Sequence, residues 1–72
     1  MQRKTNNANP YWRLANSSNE LVEYGKLYQE PIIGKSCIVG LHYTKNVTKI
    51  ISKTEDTILF KTDELVYKLQ KQ

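Results

Sequence analysis

From Ile32 onward the chain sets β-branched and aromatic residues in short runs, each closed by a polar pair or cluster. Runs of that kind favour strands, and breaks too short for a crossover helix leave antiparallel pairing as the only economical arrangement. Four strands are expected: Ser36 to Thr44, Val47 to Lys53, Thr57 to Thr62 and Leu65 to Leu69. The breaks are Lys45-Asn46, Thr54-Glu55-Asp56 and Asp63-Glu64. The reading is a mainly β domain, a small four-stranded antiparallel meander or an SH3-like, partly closed barrel.

Register follows by counting. With Asp63-Glu64 as a two-residue loop, Phe60 faces Tyr67 and Ile58 faces Leu69. With Glu55-Asp56 as the loop before it, Ile51 joins Phe60, and carrying the count through Lys45-Asn46 adds Ile38. The opposite face then carries Val39, Leu41, Ile50, Leu59 and Val66, mixed with Thr48, Lys61 and Lys68. A slip of one residue at any turn exchanges the faces of a whole strand. Neither face is purely polar, so each needs a cover.

Upstream, Ser17-Ser18-Asn19-Glu20 has the form of a capping box. Leu21, Tyr24, Leu27 and Tyr28 would share one stripe of a short amphipathic helix running from Ser18 to about Gln29 and stopped at Pro31. If that helix forms, the class becomes α+β. Gly25 inside it costs roughly 1 kcal/mol against Ala, and Gly25-Lys26 offers a rival, a type II′ hairpin turn. Residues 1–10 are polar and aperiodic and are read as a flexible arm, leaving 11–72 as a single small β-rich domain. Tyr11-Trp12-Arg13-Leu14 is expected to dock onto it.

A chain of 72 residues with one cysteine cannot supplement its core with an internal disulfide. No apolar h-region follows the opening residues, and no run approaches the ~20 apolar residues of a membrane helix. A cytoplasmic protein without membrane contact is the expectation. Net charge is +4, from eleven basic and seven acidic side chains, and both halves of the chain share the excess.

No catalytic set emerges. Gly34-Lys35-Ser36 ends like a phosphate-binding loop, but Gln29 stands where the earlier glycine would be, so a turn into the first strand is the better reading. Cys37 and His42 sit five apart, on opposite faces of one expected strand, which disfavours a dyad. Cys37 is read as a small buried residue and His42 as a strand-end polar group. The acids fall singly or in turns. No enzyme activity, cofactor or metal is expected.

What remains is binding. The leading expectation is a non-catalytic protein-binding module, an adaptor or an inhibitor acting by surface occlusion, of the kind encoded by phages and mobile elements. Tyr11, Trp12, Arg13 and Tyr43 are its candidate contacts, since aromatic and Arg anchors dominate interfaces. The alternative is a nucleic-acid-binding small barrel using Lys49, Lys53, Lys61 and Lys68. Because the expected register sends Lys49 and Lys53 to one face and Lys61 and Lys68 to the other, that binding should be no tighter than about 10⁻⁵ M. A third expectation is a structural subunit that self-associates.

Overall fold

The computed structural model describes residues 11–72, and the expected arm at 1–10 lies outside the described residues. Seven strands are present among the described residues: β1 (Tyr11–Asn16), β2 (Leu21–Gln29), β3 (Ser36–Val39), β4 (His42–Asn46), β5 (Lys49–Lys53), β6 (Thr57–Lys61) and β7 (Val66–Lys71). They form one sheet in the order β4-β3-β2-β1-β7-β6-β5 with every pairing antiparallel. The protein is mainly β, as expected. Among the described residues it has seven strands rather than four, no helix, and an open sheet rather than an SH3-like barrel.

The expected N-terminal helix is strand β2. Its apparent capping box is a hairpin loop run by Asn16, not Ser17. The Asn16 side-chain oxygen accepts the Ser18 and Glu20 amides at 2.9 and 3.0 Å, and its Nδ2 donates to the Glu20 carboxylate at 3.0 Å. The Asn19 amide closes the turn on the Asn16 carbonyl at 2.9 Å, and Asn19 itself is left-handed at φ 63°. This is the three-residue hairpin loop built from a turn and an αL residue. Leu21, Tyr24 and Tyr28, the supposed buried stripe, are all exposed.

The rival turn at Gly25-Lys26 fails too. Gly25 sits mid-strand opposite Trp12, and a Cβ there would stand 2.9 Å from the Gly40 Cα. Its missing side chain lets the β3–β4 turn lie against β2, where the Gly40 amide donates to the Lys26 carbonyl at 2.8 Å.

The expected strand from Ser36 to Thr44 is broken at Gly40-Leu41 into the β3–β4 hairpin. Gly40 adopts φ 56°, and the Glu23 carboxylate accepts the Leu41 amide at 3.0 Å, which holds the turn from the neighbouring strand. Gly34-Lys35-Ser36 does lead into a strand through a turn: Gly34 has φ 91° and the Lys35 amide donates to the Ile32 carbonyl at 2.9 Å.

Lys45-Asn46 is not a turn. It ends β4, and β4 and the next strand, β5, are the two opposite edges of the sheet. Laid flat, seven strands would separate those edges by about 29 Å at ~4.8 Å per step. Only Val47 and Thr48 join them, and two residues reach about 7 Å beyond one Cα step. The sheet therefore has to curl. Val47 fixes the corner: it is buried, its amide donates to the Lys35 carbonyl and its carbonyl accepts the Gly34 amide, both at 2.9 Å.

Inside the curl lie Leu14, Cys37, Val39, Val47, Ile58, Phe60, Tyr67 and Leu69, with Trp12, Val22, Leu27 and Ile50 packed against them. The β6–β7 register is as counted: Phe60 opposes Tyr67, rings stacked at 5.3 Å, and Ile58 opposes Leu69. Two other assignments change. A bulge at Ile51 puts Ile50, not Ile51, opposite Phe60, because the extra residue shifts the rest of β5 by one. In β3 the new turn places Cys37 and Val39 in the core, with Ile38 facing away.

Candidate nucleic-acid interface

Antiparallel partners share a face, so the register shows which side chains stand together on the convex outer side of the sheet. Inner positions are marked by Phe60, Ile58, Leu69 and Leu14. Between them, facing out, are Lys61, Leu59 and Thr57 on β6, Val66, Lys68 and Gln70 on β7, and Ala15, Arg13 and Tyr11 on β1. Tyr24 and Lys26 continue the face on β2 as partners of Arg13 and Tyr11. Lys49 continues it on β5, directly opposite Lys61.

The cations on this face are in line. Lys68 pairs with Leu59, one outward position from Lys61; Arg13 pairs with Gln70, one outward position from Lys68; Lys26 pairs with Tyr11, one outward position from Arg13. Each step moves one strand across and two residues along in the same direction. The result is a row of five cations over five strands: a diagonal of Lys61, Lys68, Arg13 and Lys26, whose neighbours are within about 7–8 Å of each other, ended by Lys49 directly opposite Lys61. Arg13 and Lys68 are half-buried, their stems lying on the sheet, while the other three are exposed.

No carboxylate shares that face. Glu20, Glu30, Glu55, Asp56, Asp63 and Glu64 lie in the connections between strands, and Glu23 pairs with Leu14 on the inner side, turned to the Gly40-Leu41 turn. Those seven are every acid in the chain. Among the described residues the ion pairs are Lys45 with Glu64 at 3.8 Å and Lys53 with Glu30 at 3.2 Å, and neither involves the diagonal.

The expected lysine set is thus redrawn. Lys49, Lys61 and Lys68 share one face instead of being split, because the bulge in β5 shifts that strand's alternation. Lys53 leaves the set, lying beyond the bulge on the inner side opposite Ile58 and paired with Glu30. Lys26 joins the set because Gly25-Lys26 lies inside a strand, where the sequence suggests helix or turn. The alternation Tyr24, Lys26, Tyr28 against Glu23, Gly25, Leu27 was its available signal.

The expected protein contacts are also separated. Tyr11 and Arg13 belong to the outer face, Tyr11 with its ring 5.6 Å from that of Tyr24. Trp12 faces the other way, half-buried against the core, and lines a cleft of about 470 Å³ with Leu27, Lys53 and Ile58. Tyr43 is exposed on the β4 edge, away from the diagonal.

Cys37 and His42 are not brought together. They lie on different strands, not on two faces of one: His42 pairs with Val39, and the Cys37 amide donates to the Thr44 hydroxyl at 3.0 Å. Burial pushes the Cys37 thiol up to about 12, and burial with the neighbouring Cys37 raises Tyr67. Among the described residues no three His, Cys, Asp or Glu side chains are grouped to hold a metal, and no helix is long and apolar enough to cross a membrane. Comparison with protein-family models, curated proteins and solved structures finds no match to the chain.

Proposed function

We propose that this protein binds nucleic acid by laying its phosphate backbone along the row of Lys49, Lys61, Lys68, Arg13 and Lys26. The carrying observation is the segregation of charge: five cations, four of them on one diagonal and the fifth opposite its first member, on a face that holds none of the chain's seven acids. Base composition alone can supply lysines, but it does not sort them from carboxylates. The direct opposition of Lys49 and Lys61 supports the same reading, since like charges facing each other across a ladder are destabilising. A binding site retains such a pair against its cost to the fold.

Five phosphate contacts correspond to a slope of log K against log salt near −3.5 on a single strand and −4.5 on duplex, by counterion release. Dissociation constants of about 10⁻⁶ to 10⁻⁴ M at physiological salt are the expected range for contacts of this type. The test is fluorescence anisotropy with a labelled oligonucleotide over a salt series. Reversing Lys61 and Lys68 to Glu should weaken binding and flatten the slope by about 1.4 or more on a single strand. A slope near zero, or one unmoved by the reversals, would sink the proposal.

Binding to another protein is the second reading. It is favoured by Leu41, 92% exposed at the tip of the β3–β4 turn, standing beside the exposed Tyr43 on an open sheet edge. Recovery of a protein partner after nuclease treatment, lost on Leu41→Asp, would favour this reading instead.

A further inference from the structure

Resting on the phosphate-binding reading, the geometry points to an unpaired strand as the form of nucleic acid selected, with bases taken at two places beside the diagonal. The first is a block of four side chains at its β1–β2 end. Arg13 opposes Tyr24 and Tyr11 opposes Lys26, so the cations occupy one diagonal of the block and the rings the other. The two rings are 5.6 Å apart and inclined by 31°. They do not close into a stack with one another, and the Tyr24 ring stands on a side chain that is 49% exposed. Aromatic rings set among backbone-tracking cations are what an unpaired base stacks on.

The second place is a recess of about 360 Å³ midway along the row, beside Lys68. Leu59 and Val66 give it an apolar floor, and Ser17 and Asn19 of the β1–β2 loop stand on its rim. Asn16 on the same rim is already committed to the Ser18 and Glu20 amides and the Glu20 carboxylate. The Ser17 hydroxyl and the Asn19 amide make no side-chain hydrogen bond among the described residues, and both are exposed. An apolar floor with free donors and acceptors at its edge suits the flat face and polar edge of a nucleobase. In a duplex the faces are stacked and the Watson–Crick edges are paired, so only the groove edges are presented.

Curvature argues the same way. The row crosses five strands of a sheet that curls around its core, so its two ends point in different directions. Duplex DNA, with a persistence length of about 150 bp, would touch such a face along a tangent and leave part of the diagonal unused. A flexible single strand can follow it.

The experiment compares a labelled DNA single strand of about 15 nucleotides, within the span of known single-strand sites, with its own duplex. Three proteins are titrated: the unaltered chain, Tyr11→Leu with Tyr24→Leu, and Asn19→Gly, which keeps a residue suited to φ 63°. Far-UV circular dichroism and a thermal melt establish that each is folded. The single strand should bind several-fold more tightly than the duplex. The tyrosine pair should weaken single-strand binding by about tenfold or more, the effect of losing one stacked base, and Asn19→Gly should do so to a lesser degree. Duplex affinity should stay within about twofold for both. Equal binding of the two forms, or tyrosine variants that leave single-strand affinity unchanged, overturns the inference. If charge reversal at Lys61 and Lys68 still weakens both forms in that case, phosphate binding survives it; if no nucleic acid binds at all, both fall.

Discussion

Lys61→Glu should make the protein more stable while weakening its binding. Lys61 stands directly opposite Lys49 and diagonal to Lys68, all on the outer face. Cross-strand Cβ atoms are about 5 Å apart, and flexible exposed side chains place the charged heads of such a pair about 6 Å apart. In water that repulsion is about 0.7 kcal/mol before screening. With Debye lengths near 30, 8 and 3 Å, it falls to about 0.6, 0.3 and 0.1 kcal/mol at 0.01, 0.15 and 1 M salt. Reversing one charge turns repulsion into attraction and doubles the difference. The expected gain is about 1.1 kcal/mol at low salt, 0.7 at physiological salt and 0.2 at 1 M. For a domain of this size 1 kcal/mol moves the melting temperature by about 4–8 °C. Thermal melts at the three salt concentrations should therefore show the variant melting several degrees higher at low salt, with the advantage vanishing at 1 M. A variant that melts lower at low salt, or a gain indifferent to salt, would mean that Lys49 and Lys61 do not face each other, and the row would lose its first pair.

Phe60→Ala should cost about 3–5 kcal/mol, as for other buried Phe, whereas Ile51→Ala, at a 45% exposed bulge position, should cost under about 1 kcal/mol in urea melts; equal costs would put the bulge elsewhere. Gly25→Ala drives a Cβ to 2.9 Å from the Gly40 backbone and should cost about 2 kcal/mol through overpacking. Gly34→Ala meets no atom within 4 Å but adopts φ 91°, and should cost about 1 kcal/mol; a reversed order would refute the close approach of β2 and the β3–β4 turn. The Cys37 thiol, raised from 9.0 to about 12 in the folded chain, binds its proton more tightly folded than unfolded. Its contribution is complete below about pH 9 and is lost as pH rises toward 12, with Tyr67 adding in the same sense. Denaturant midpoints should fall from pH 8 to pH 10.5, less steeply in Cys37→Ala, and a flat profile would contradict the burial of Cys37.

The parts of this fold legible in the sequence are those set by local turns. Asp63-Glu64 and Glu55-Asp56 are two-residue loops, and counting back from the first gives the Phe60–Tyr67 and Ile58–Leu69 pairs directly. The bulge was not legible, because Ile50-Ile51 offers two identical side chains and only packing against Phe60 selects between them. In β2, Leu21, Tyr24 and Tyr28 imitate a helical stripe at the same time as Tyr24, Lys26 and Tyr28 obey a strand alternation. Asn16, one residue before the apparent cap, decides the matter by binding the backbone as a turn. The diagonal was out of reach for a different reason. It depends on β1 pairing with β7, strands separated by most of the chain, and on the offset at Ile51; an error in either scatters its cations.

The position of β1 has a consequence for how the chain can fold. Apart from that one pairing with β7, every ladder in the sheet joins consecutive strands. The chain is thus two local meanders, β1 to β4 and β5 to β7, zipped along a single seam, with Leu14 against Leu69 in its middle. Neither meander owns a core: Leu14, Cys37 and Val39 come from the first, Ile58, Phe60, Tyr67 and Leu69 from the second. Each half separately is a one-sided sheet with its apolar face in water. The halves therefore gain their stability in the same event that brings them together, and the rate of that event is set by closing one long loop rather than by seven strands finding their partners.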